Sequence, residues 1–95
     1  MKINLELIGL PTLSGLIGKK TVMEMHGETV SDLISLLVQR HGLKVKQAML
    51  DAKGNLDNTI QVMVNDAAFL PRESLSEKKL TDGDTVRFIL LAAGG

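Results

Sequence analysis

The chain has 95 residues, 44% of them hydrophobic, with eleven basic and eleven acidic side chains, two aromatic residues and no cysteine. A chain of this length buries one core, and its balanced charge and scarce rings argue against a nucleic-acid binder. Lack of cysteine excludes disulfides, thiolate metal sites and a cysteine nucleophile. No apolar run approaches the ~20 residues that span a bilayer, so a cytoplasmic location with no membrane role is expected.

Residues 2–8 alternate, with Ile3, Leu5 and Leu7 on one parity and Lys2, Asn4 and Glu6 on the other, which predicts a half-buried strand. Residues 9–19 are rich in turn formers yet carry Leu10, Leu13, Leu16 and Ile17, so a loop folding back onto the core is expected. Residues 20–25 read as a second strand with Met23 and Met25 inward, completing an amino-terminal hairpin. Thr29-Val30-Ser31-Asp32 fits a capping box, and Val30, Leu33, Ile34, Leu37 and Val38 repeat at helical spacing up to Gly42, which suits a helix end. A short helix over residues 44–51 rests on Val45, Ala48 and Met49.

Lys53-Gly54-Asn55 marks a turn, after which Ile60, Val62 and Val64 alternate with Gln61, Met63 and Asn65 as a third strand. Asn65-Asp66 is another turn signal, residues 67–70 suggest a short extra strand, and Leu75 and Leu80 are expected to pin an irregular polar stretch. Asp82-Gly83-Asp84 then turns the chain into a last strand with Val86 and Phe88 inward. The order β-β-α-β-β has too few strands for a doubly wound fold. Residues 1–89 are read as the domain and residues 90–95, Leu90-Leu91-Ala92-Ala93-Gly94-Gly95, as a thin tail.

The segments "ETVSDLISLL", "VMVND" and "LTDGDTVRFILLAAGG" resemble the MoaD/ThiS family of sulfur carrier proteins, and the chain's length is most like the molybdopterin synthase small subunit. The resemblance implies an α+β ubiquitin-like β-grasp fold, a mixed sheet of four to five strands packed on one main helix. It also implies a carrier or non-catalytic subunit whose terminal carboxylate, on Gly95, is adenylated by a ubiquitin-activating-type adenylyltransferase using ATP and then converted to a thiocarboxylate. Sulfur would pass to the molybdopterin synthase large subunit or another acceptor enzyme; no cofactor would be bound by the chain itself. Gly94 lets the backbone approach a partner's walls, and Ala92 and Ala93 keep the lead-in narrow. Extended, the six residues from Leu90 to Gly95 reach ~20 Å.

Under β-grasp strand order 2-1-4-3, Ile8 and Ile89 fall on the outer parity of neighbouring strands, at the end where the tail leaves. With Met63, Ala68 and Phe69 they form an expected docking patch, continued by Leu90 and Leu91.

Other signals are weaker. Gly18-Lys19-Lys20-Thr21 lacks the first glycine of a phosphate loop. His26 and His41 have no companions at ligand spacing, so no metal site is expected; Asp82 and Asp84 read as turn residues, and Lys78-Lys79 as a solvated pair. Competing functions are a ubiquitin-like modifier joined to lysines through Gly95, a carrier for a thiamine, cysteine or other thio-cofactor pathway, and a plain interaction module.

Overall fold

The alternation of Ile3, Leu5 and Leu7 builds β1 (Lys2–Ile8), whose inward side chains are buried while Lys2, Asn4, Glu6 and Ile8 face the other side of the sheet. The computed structural model describes residues 1–90. β1 pairs antiparallel with β2 (Lys20–Glu24) and parallel with β4 (Thr85–Leu90), and β3 (Ile60–Val64) runs antiparallel to β4. The four-stranded sheet therefore has the order β2-β1-β4-β3, that of a ubiquitin-like β-grasp, and the α+β fold is as expected.

α2 (Val30–His41) lays Val30, Leu33, Ile34 and Leu37 into the core formed with Leu5, Met23, Val62 and Phe88. Each such fully buried side chain contributes about 1.5–3 kcal/mol. Its start is a complete capping box: Thr29 Oγ1 accepts from the Asp32 N–H at 3.2 Å, and Asp32 Oδ2 accepts from the Thr29 and Glu28 N–H groups at 3.0 and 2.9 Å. Those donors, Glu28 first, hold the Asp32 carboxyl below its ordinary range. Gly42, at φ 81°, lets the chain leave α2 in the left-handed region and enter α3 (Leu43–Met49) at once.

Residues 9–19 depart from the expected loop. They form α1 (Pro11–Ile17), with Pro11 in the first turn, where its missing N–H costs nothing, and with Leu10 and Leu13 buried. The segment does fold back onto the core, but as a helix, because the Leu10, Leu13 and Ile17 spacing is that of one helical face. The expected strand over residues 67–70 is reduced to a single bridge between Met63 and Phe69 and one bond from the Leu70 N–H to the Val62 carbonyl. β4 takes in Leu90, which the sequence reading placed in the tail; Leu90 pairs with Ile60.

Leu75 and Leu80 are buried, as expected, and between them and β3 lies a side chain that periodicity does not flag. Arg72, in a single 3-10 turn (Arg72–Ser74), donates to the carbonyls of Asp57 and Asn58 at 3.0 Å each and to those of Leu56 and Ile60. One guanidinium thus gathers the loop that feeds β3, a task suited to its fork of donors.

Candidate functional site

The parallel pairing of β1 and β4 sets Ile8 directly beside Ile89, at the end of the sheet from which the chain continues past Leu90. Both side chains lie on the face away from α2, because each is one residue off the buried parity of its strand. Ile8 is 45% exposed, and Ile89 is half-buried between it and Gln61. Met63, on the outer parity of β3, is bridged to Phe69, which is 41% exposed; Ala68 precedes it in the same exposed turn. The structure thus brings Ile8, Ile89, Met63 and Phe69 onto one face and places Ala68 at its rim.

Arg87 stands among these residues, opposite Glu6 on β1 and Met63 on β3, and the sequence reading gave it no role. Its Nε donates to Glu6 Oε1 at 3.2 Å, and one terminal nitrogen donates to the Asn65 carbonyl at 2.8 Å and to Asp66 Oδ1 at 3.2 Å. The Glu6 hydrogen bond is the main cause that raises the Arg87 pKa above its ordinary value; desolvation opposes it, and the Glu6 charge with the Asp66 hydrogen bond and charge add to the rise. The guanidinium is held by its own chain, so its stem adds apolar surface to the patch. Only the 81-residue separation of Glu6 and Arg87 in sequence hides the pair from a local reading.

Around the end of β4, on the helix side, lies a second apolar surface. Gly9, Pro11 and Leu16 from α1 and its approach, Lys44 and Ala48 from α3, and Leu90 line an open groove of about 760 Å³. Leu90 is 38% exposed there. A loop over residues 9–19 predicts no such groove; it exists because α1 packs beside α3.

The turn before β4 is fastened by its aspartates. Asp82 Oδ1 accepts from the Lys2 N–H at 2.6 Å, and Asp84 accepts from the Thr81 N–H and hydroxyl and from Asn65 Nδ2. Both act as turn residues, as their sequence context indicates. His26 is exposed and His41 lies in the last turn of α2. Among the described residues no three His, Cys, Asp or Glu side chains group to hold a metal ion, and no helix is long and apolar enough to cross a membrane. The expected site residues Leu91, Ala92, Ala93, Gly94 and Gly95 lie outside the described residues.

The sequence model of the ThiS family matches residues 11–95, nearly the whole chain and both closing glycines. The chain belongs to the ThiS family. Among solved structures it is similar to SAMP1 from Haloferax volcanii, at 21% identity with TM-score 0.76 and complete coverage of both chains. It is also similar to a chain in the BexX/CysO complex of Amycolatopsis orientalis, at 28% identity and TM-score 0.70, with 98% of this chain and 99% of that one covered. Urm1 from Trypanosoma brucei aligns at 25% identity and TM-score 0.67, over 99% of this chain and 95% of its own. A comparison with curated protein sequences finds no match. Family and neighbours together support a ubiquitin-like fold of the sulfur carrier or modifier type, and the BexX/CysO complex shows a similar chain engaged by another protein.

Proposed function

We propose that this ThiS-family chain is a sulfur carrier for molybdopterin biosynthesis, acting as the small, non-catalytic subunit of the synthase. The observation that carries the carrier reading is the family match through Gly95, joined to a fold that ends β4 between two apolar surfaces. The Gly95 carboxylate, a poor electrophile, would attack the α-phosphorus of ATP in an adenylyltransferase of the ubiquitin-activating type and release pyrophosphate. A sulfur donor then adds to the carbonyl of the mixed anhydride and AMP leaves, giving the thiocarboxylate. The five residues after Leu90 have an extended reach of ~17 Å, enough to place Gly95 in a partner's pocket while Ile8, Ile89, Met63, Ala68 and Phe69 dock at its mouth. The chain's length supports assignment to the molybdopterin synthase acceptor over the thiamine pathway, whose carriers are usually shorter, the partner separates it from cysteine and other thio-cofactor pathways, and the work is assigned to the cytoplasm.

A second reading, a modifier joined to lysines through Gly95, is kept because the small archaeal modifier protein 1 of H. volcanii has the same fold. Intact mass of the protein isolated from its native cells without oxidation, with the terminal peptide sequenced, separates the two. The carrier reading expects one oxygen replaced by sulfur at Gly95; an unmodified terminus together with higher-mass lysine conjugates would establish the modifier instead. Co-purification of the thiocarboxylate form with a synthase that yields a dithiolene pterin tests the pathway.

A further inference from the structure

Of the two borders of the sheet, β3 is partly covered by Phe69 and Leu70, whereas among the described residues no strand or bridge pairs with the outer side of β2. The Leu7 N–H bonds the Lys19 carbonyl, and Met1 and Met25 exchange both of their backbone bonds. Residues of β2 in step with Lys19 and Met25, namely Thr21 and Met23, therefore turn their backbone groups toward β1. Lys20, Val22 and Glu24 turn theirs outward, and their side chains share the face opposite the core, since Met23 and Met25 are buried. An open strand edge is a template for pairing, and proteins commonly blunt it with charge.

The charge on this edge is arranged otherwise. Val22, 65% exposed, sits midway between one cation and one anion, Lys20 and Glu24. We propose that this edge is a self-pairing surface whose occupant is β2 of a second copy of the chain, antiparallel about a two-fold axis through Val22. In that register Val22 meets Val22 of the other copy, and each Lys20 lies opposite the other copy's Glu24. Each of these pairs exchanges both outward backbone hydrogen bonds, and the two sheets become one. An extended chain from a different protein would meet the same hydrogen-bonding groups, but the inverted charge order around an exposed valine fits this strand's own sequence. Lys20 has no ion-pair partner within the described residues, and Glu24 offers its second carboxylate oxygen, the first accepting from the Met1 amino group at 3.2 Å. In each copy β1 stands between the junction and β4, so pairing leaves β4 away from the junction.

Sedimentation velocity on the full chain, from micromolar to about 1 mM, tests the proposal. A reversible, concentration-dependent dimer is expected. Lys20→Glu alone sets like charges opposite each other at both ends and should weaken the dimer about tenfold, and the double change Lys20→Glu with Glu24→Lys should restore it. Circular dichroism confirms that each exposed-site variant is folded. A monomer across the whole range, a dimer indifferent to the single reversal, or a double variant that stays as weak as the single one would each overturn the proposal. Capture of a foreign peptide on β2 by a chain that remains monomeric would do so as well.

Discussion

Gly27 shows how one missing methyl group holds a local arrangement in place. A Cβ built there lies 2.5 Å from Asp32 Cβ, closer than real Cβ atoms approach one another, and Asp32 is the residue that closes the α2 capping box. The obstacle is the rigid base of a side chain held by two backbone donors, the N–H groups of Glu28 and Thr29, so Gly27→Ala must displace the cap itself. It is expected to lower stability by about 1–3 kcal/mol, seen as a fall in the urea midpoint without a change in slope. Gly15, inside α1 with nothing near its missing Cβ, supplies the opposite sign. Gly15→Ala should raise stability by about 0.5–1 kcal/mol in the same experiment, because alanine gives up less backbone freedom on entering a helix.

Among the elements, β4 assembles the candidate docking patch because its two neighbours, β1 and β3, come from well-separated parts of the chain. Its parallel partner β1 brings Ile8 beside Ile89, and its antiparallel partner β3 brings Met63 and, through the bridge, Phe69. Ile8→Glu alters a residue already 45% exposed, so the fold should lose no more than about 0.5 kcal/mol. If the patch docks the activating enzyme, the same change should reduce adenylation of the carboxyl terminus about tenfold or more, measured as ATP–pyrophosphate exchange with the partner enzyme. Unchanged exchange would remove Ile8 from the interface. The parity of these strands made the patch legible in the sequence, since an apolar residue on an otherwise polar face stands out. α1 was not legible: Gly15, Gly18 and Pro11 carry turn chemistry, and the helical spacing of Leu10, Leu13 and Ile17 spans too few turns to overrule it. Arg72 and Arg87 were illegible for another reason, in that each meets its acceptors through loops and strands distant in sequence.

For the whole molecule, acid should loosen the fold through carboxylates that fasten separate parts of it. The Glu28 N–H first, and then Thr29, hold Asp32 low, and Asp57 is held low first by the Thr59 hydroxyl. Desolvation pushes Asp84 up, but the Thr81 and Asn65 donors and the Lys78 charge together outweigh it and leave its pKa lowered. In all three the folded pKa is below the unfolded one. Their stabilisation is therefore complete above the ordinary aspartate value of 3.8 and is lost as pH falls through the depressed folded values. Thermal melts should accordingly show Tm flat from neutral pH to about 5 and falling steeply below about 4, with the triple Asp→Asn variant less stable at neutral pH and shallower in its acid slope.

The amino-acid sequence by itself determined the elements whose cause is local. Alternating side chains made the strands, a capping box and an apolar stripe made α2, and Gly42 ended it, each within a few residues of chain. It also carried the family motifs and the parity that puts Ile8 and Ile89 on the outer face. Tertiary structure alone decided that α1 is a helix packed beside α3, that Arg87 is neutralised by Glu6, that Leu90 belongs to the sheet, and that β2 is left as the open edge. These depend on which surfaces meet once the chain has folded, because a marginal helix, a long-range ion pair and a strand border acquire their energies only from neighbours far away in sequence.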